Sequence, residues 1–111
     1  MIEQRDLLLV PFPFSDQSGK KVRPVVVISK NEFNQHSGGI VVVGITSHLS
    51  QDHYTIQLSQ DNLEEGFSHN FRYIKVENIL KIDKRLVVKK IGRISTATFD
   101  AIMTVIKTII G

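Results

Sequence analysis

No cysteine occurs among the 111 residues, so disulfides, thiolate zinc sites, iron–sulfur clusters and a cysteine nucleophile are excluded together. Prolines number three and charged residues make up 23%, against a hydrophobic fraction of 41%. Such a chain has enough apolar surface to offset its conformational entropy on folding. A membrane-length apolar run is missing too. The longest, LLLVPFPF at residues 7–14, contains two prolines and falls far short of the roughly 20 residues that a spanning helix needs. Glu3, Arg5 and Asp6 precede it, a mixed-charge start that lacks the basic region, long apolar core and small-residue cleavage site of a secretory signal. The expectation is a cytoplasmic protein with one domain over residues 1–111, too short for two independent cores.

Lysine and arginine are absent between residues 31 and 71, where five acidic residues stand, whereas residues 72–93 carry eight basic residues against two acidic ones. The net charge of +3 therefore hides regional sums of +2, −5, +6 and 0 along the chain. The basic segment, with Phe71 and Tyr73 beside Arg72 and Lys75, has the charge and aromatics to attract a phosphate backbone. A solvated strand face is the commoner use of such a strip, and composition leaves both readings open.

Branched apolar residues punctuated by turn formers dominate the first two-thirds of the chain. Residues 7–12 read as a strand ended by Pro13 and the turn formers at 15–19. Val25–Ile28 reads as a second, with Pro24 at its entrance, so continuously apolar that it is buried on both faces or inside a small barrel. A polar stretch from Ser29 to Gly39 has room for one helical turn around Asn31–Gln35 before a third strand, Ile40–Thr46. Tyr54, Ile56 and Leu58 alternate with Thr55 and Gln57, the period of a half-exposed strand. Asp61, Glu64 and Glu65 are assigned to an acidic loop leading to Gly66. Tyr73–Leu80 reads as a fifth strand, and Leu86–Ile94 as another, although periodicity also permits a short helix there. From Ser95, an N-cap residue, Phe99, Ile102, Met103, Ile106, Ile109 and Ile110 recur at helical spacing. Asp100 and Lys107 have the signs the helix dipole favours, and Gly111 is a terminator. The fold class is mainly β with minor α: five or six short strands in a strongly bent antiparallel sheet or partly open barrel, with a terminal helix covering an edge or face.

Among chemistry-bearing residues, His36, His48, His53 and His69 never pair at a spacing that places two on one helix or strand face, so no metal site is assigned. Gly38-Gly39 lacks the Lys-Ser/Thr and the helix of a phosphate loop, and there is no serine nucleophile elbow. One constellation stands out: Arg23 at the mouth of strand two, and Thr46-Ser47 at the end of strand three. If those strands are neighbours, a guanidinium and two hydroxyls converge on one anion; taken alone, such an arginine is more often only a solvated flank.

Residues 7–29, LLLVPFPFSDQSGKKVRPVVVIS, resemble the opening signature of the MazF/PemK family of toxin ribonucleases, with its apolar strand, PFPF-type turn, Ser-Gly loop and Arg-Pro followed by branched residues. VVVGITS at 41–47 is similar to the family's strand ending in a Thr-Ser or Thr-Ala pair. IKVENILKIDKRLVVKKIGRIS at 74–95 resembles its segment with an Ile-Asp pair ahead of the terminal helix. Order and spacing agree over nearly the whole chain.

The resemblance implies a small SH3-like antiparallel barrel with a C-terminal helix, a homodimer, and cofactor-free, metal-independent cutting of single-stranded RNA, including mRNA, at short sequences. It also implies growth inhibition restrained by a cognate antitoxin, which can bring DNA binding to the complex. Arg23 and Thr46 fall on the family's matched positions and are carried over as catalytic. Lys75 and Glu77 fall where some members have an Arg and an Asp with acid and base roles. RNA contacts are assigned to Ser47 and His48, to the Ser18-Gly19-Lys20-Lys21 loop, and to Phe14, Phe71 and Arg72 as base platforms. Two departures stand out: residues 15–22 contain no histidine, and Arg5 replaces the usual glycine as a local turn difference.

Metal-free cleavage uses the ribose 2′-OH as nucleophile and yields a 2′,3′-cyclic phosphate and a 5′-OH. The protein must take the 2′ proton, stabilise phosphoryl charge and protonate the leaving oxygen. A guanidinium can hold two phosphate oxygens but cannot serve as a base near neutral pH. Glu77 is the better base, Thr46 and more weakly Ser47 are hydrogen-bond donors, Lys75 supplies charge or a proton, and His48 is a reserve acid or base. Two alternatives stand beside this reading: a non-catalytic toxin of the same fold that binds a protein target, as the gyrase poison CcdB does, and a nucleic-acid-binding regulatory module.

Overall fold

The computed structural model describes residues 1–12, 21–49, 52–66 and 72–111. Strands β1 (Asp6–Phe12), β2 (Lys21–Val27), β3 (Gly39–Thr46), β4 (Thr55–Leu58), β5 (Leu63–Gly66), β6 (Arg72–Asp83) and β7 (Lys89–Ile94) join in one antiparallel sheet of order β4-β6-β3-β2-β1-β7-β5. A short helix α1 (Asn31–His36) precedes β3, and α2 (Thr96–Ile110) follows β7. No helix among these residues is long and apolar enough to cross a membrane.

The chain itself makes the sheet curl. Its two outermost strands, β4 and β5, are consecutive in sequence and joined only through a 3₁₀ turn at Gln60–Asn62. From Leu58 to Leu63 the backbone can reach about 18 Å, whereas the edges of a flat seven-stranded sheet lie about 29 Å apart. The edges must therefore approach each other, and the sheet closes into the bent, SH3-like half barrel expected from the sequence.

Curling buries both faces, and side-chain alternation divides the apolar residues between them. Leu7, Val26, Val43, Ile74 and Ile94 pack on one side with Ile102 of α2; Leu8, Val10, Val25, Val27, Ile40 and Val42 fill the other. Hence Val25, Val26 and Val27 are all buried, as an unbroken apolar strand requires. The Ser95 hydroxyl accepts from the Thr98 N–H at 3.1 Å and so caps α2 as expected.

Several expectations need correcting. Pro24 lies inside β2 rather than at its entrance: β2 pairs with β1 from Lys21 to Val26 but with β3 only over Val25–Val27. Pro24 thus falls where one flank is still an edge, the place a strand tolerates a residue without an N–H. The acidic loop is a 3₁₀ turn followed by β5, a strand whose Leu-Glu-Glu-Gly sequence carries no alternation because only β7 flanks it. The segment Leu86–Ile94 opens in a 3₁₀ turn at Lys84–Leu86, and only its second part is strand. On α2 the inward stripe is Phe99, Ile102, Val105 and Ile106, with Ile102 fully buried; Met103, Ile109 and Ile110 of the expected set face outward, the last 71% exposed. A single sheet face covers only about 100° of a helix surface, so the outer members of a wide apolar pattern stay in solvent.

Candidate active site

Strand pairing brings together the two residues that sequence spacing singled out. β2 and β3 pair Val25 with Gly44, the last rung of their ladder, and Arg23 and Thr46 each lie two residues beyond it. Both side chains are half-buried and line two adjoining cavities of about 580 and 600 Å³. The first cavity adds Lys21, Ser47 and Arg72 over an apolar floor that includes Leu9, Ile45 and Leu58. The second adds His48, Lys75 and Glu77, with Ile79 and Leu80 on its apolar wall.

A break in regular pairing places Lys75 and Glu77. Between β3 and β6 the register runs Val43 to Ile79 and then jumps from Gly44 to Lys75, leaving Val76, Glu77 and Asn78 as extra residues on β6. The Val76 N–H bonds the Tyr54 carbonyl at 3.0 Å instead, and the Val76 side chain stays fully buried. Bulges of this kind re-aim side chains next to functional clefts. Here Lys75 Nζ meets Glu77 Oε1 at 3.0 Å and Asp52 Oδ2 at 3.2 Å. The Glu77 carboxylate first, and Asp52 after it, hold the ammonium above the ordinary lysine range against the opposing pull of burial.

Thr46 has a settled orientation. Its Oγ1 accepts the His48 N–H at 3.1 Å, so the hydroxyl hydrogen is the part left to offer an anion. Of the other sequence candidates, Phe14, Ser18, Gly19, Lys20 and Phe71 lie outside the described residues. Asp52 was missed: it sits in no periodic segment, and its only sequence signal is the Asp-His-Tyr-Thr spacing of an Asx turn.

The basic strip of residues 72–93 does not form a continuous phosphate track. Lys90 and Arg93 pair with Asp6, Glu65 and their neighbours, Arg85 with Asp83, and Lys75 with Asp52 and Glu77. The acidic segment of the chain thus supplies partners to the basic one, and it is Arg72 and Lys75 that stand at the cavities. Among the described residues no three His, Asp or Glu side chains converge as a metal site.

Residues 3–110 match the family described as PemK-like, MazF-like toxin of type II toxin-antitoxin system. The chain belongs to that family. Solved structures agree on the fold of this MazF-like protein. An endoribonuclease in complex with its cognate antitoxin from a mycobacterial species has a TM-score of 0.79 at 17% identity, over 97% of this chain and 93% of that one. MazF from Deinococcus radiodurans gives 0.79 at 15%, over 99% and 96%. The Mycobacterium tuberculosis toxin MazF-mt6 gives 0.76 at 15%, over 94% of both chains. Identities this low establish a shared architecture. A comparison with curated protein sequences finds no match.

Proposed function

We propose that this MazF-like toxin is a sequence-selective endoribonuclease that cuts single-stranded RNA, mRNA among its substrates, without a metal ion. The observation that carries the reading is that Arg23 and Thr46 together line two adjoining cavities, one of which also holds a lysine–carboxylate pair. The Arg23 fork is suited to two non-bridging phosphoryl oxygens, and the Thr46 hydroxyl to one of them. Glu77 takes the proton of the ribose 2′-OH as that oxygen attacks phosphorus. The bond from phosphorus to the 5′ oxygen breaks, giving a 2′,3′-cyclic phosphate, and the leaving oxygen takes a proton from His48 on the same cavity wall.

Lys75 acts here as fixed positive charge. An ammonium held above the lysine range by two carboxylates gives up its proton reluctantly near neutral pH. The two cavities on either side of the Arg23–Thr46 pair give room for the nucleotides flanking the scissile phosphate, with Arg72 and Lys21 toward the backbone of one of them. The antitoxin bound to the mycobacterial endoribonuclease supports a cognate antitoxin for this chain as well, and a homodimer is part of the same reading.

Purified protein incubated with a long single-stranded RNA in EDTA, followed by end mapping, tests the proposal. Discrete cuts with 5′-OH termini are expected, and Arg23→Ala or Thr46→Ala in a folded protein should lower the rate at least about 100-fold. Undiminished cutting by folded Arg23→Ala overturns the assignment. RNA that is retained but intact would favour the binding module.

A further inference from the structure

The two carboxylates that flank the Lys75 ammonium are held differently. Glu77 rides on the β6 bulge with its side chain 42% exposed. Asp52 comes from the segment ahead of β4 and is fixed in place: its Oδ1 accepts the Tyr54 N–H at 2.9 Å and the Thr55 hydroxyl at 2.8 Å, while its Oδ2 faces Lys75. Thr55 is the register partner of Lys75, so the turn that fixes Asp52 is tied to the strand pair that carries the lysine. A lysine on its flexible four-carbon stem follows whatever partner it has. With Glu77 as its one partner, already 3.0 Å away, it would move with an exposed side chain and lean wholly on the carboxylate assigned to take the 2′ proton.

We propose, resting on the ribonuclease reading above, that Asp52 is a positioning residue: it anchors the Lys75 ammonium to the cavity wall and thereby keeps Glu77 from being that ammonium's sole counter-ion. Among the described residues, the other charged or titratable side chains facing this cavity are Arg23 from β2 and His48 after β3. Both stay unchanged in the variants that test the idea.

Asp52→Asn is the decisive substitution. Its amide oxygen can keep the Tyr54 and Thr55 bonds, and what then faces Lys75 is an NH₂ group in place of a carboxylate oxygen. The expected result is a kcat for RNA cleavage lowered about 10-fold or more with KM little changed, a fold-change of the size that misplacing one charged group produces. Asp52→Glu should recover part of the rate. In a Lys75→Ala background Asp52→Asn should cost nothing further; the same loss in both backgrounds would mean that Asp52 serves the turn alone, and would overturn the proposal.

A second readout needs no RNA. Acylation of Lys75 by acetic anhydride, followed by mass spectrometry across pH, should show a lower midpoint in Asp52→Asn than in the unaltered protein. An unchanged midpoint overturns the proposal. If Asp52→Asn fails to fold, Asp52→Ser keeps a hydroxyl for the Tyr54 N–H and serves in the same assays. Should the unaltered protein leave RNA intact, it is the ribonuclease reading that fails, and the acylation result still decides whether Asp52 governs Lys75.

Discussion

At the scale of single residues, Asp83 has a titration set almost wholly by one neighbour. The Arg85 guanidinium bonds both of its carboxylate oxygens, at 2.8 and 3.2 Å, and the Arg85 N–H bonds Oδ1 at 2.8 Å. Arg85's side chain first, and its backbone N–H second, lower the Asp83 pKa from 3.8 to about 2. Because the folded value lies below the unfolded one, the stabilisation from this group is full above about pH 4 and is lost as pH falls toward 2. An NMR titration should find the Asp83 midpoint near 2, and Arg85→Ala, which keeps the backbone N–H, should move it part of the way back toward the ordinary aspartate range. Arg5 illustrates a different local constraint. Its φ of 80° lies in the left-handed region, the local turn difference expected where relatives carry glycine. The side chain is nonetheless used: Nη1 bonds the Ile94 carbonyl at 2.9 Å and Glu64 at 3.0 Å, tying the start of β1 to the ends of β7 and β5. It lines neither of the two cavities that Arg23 and Thr46 share.

Among the elements, β5 depends on backbone proximity more than on side-chain burial. Gly66 and Gly92 stand opposite each other, and a Cβ on either would come within 2.6 Å of a facing carbonyl oxygen. Gly92→Ala is therefore expected to push β5 off β7 and to cost about 2 kcal/mol, the range in which strained backbone substitutions fall. Urea denaturation measures the loss, and hydrogen exchange should find it concentrated in residues 63–66. The reason β5 escaped sequence reasoning is the same: two glycines and ion pairs to Lys90 and Arg93 leave no periodic signature. The β6 bulge was equally invisible, since extra residues in a strand change pairing without changing composition. The strand cores and the α2 cap were legible because alternation, branching and an N-cap serine are local signals. Arg23 and Thr46 were legible as a pair through the order of their strands, whereas Asp52 needed the three-dimensional turn that aims it at Lys75.

For the molecule as a whole, a net charge of +3 says little about affinity for a polyanion, because most cations of residues 75–93 already have carboxylate partners. On the ribonuclease reading, the field that RNA meets comes from the cations at the cavities. Binding of a 2′-deoxy-substituted single strand, which lacks the attacking hydroxyl, should weaken with salt. Lys21→Ala and Arg72→Ala should each flatten the log–log slope by about 0.7, the single-strand value for one phosphate contact. Lys90→Ala, at a residue paired with Asp6 and Glu65, should leave the slope unchanged. Fluorescence anisotropy at several salt concentrations measures all three.

The alignment of β2 with β3 carries one more implication. Sliding β2 by a single position would turn Arg23 to the opposite surface of the sheet while Thr46 stayed where it is. On the ribonuclease reading, cutting activity is a gauge of strand alignment: a substitution in the buried Val25–Val27 stretch that slips the register should silence the folded protein with every proposed reacting group still present.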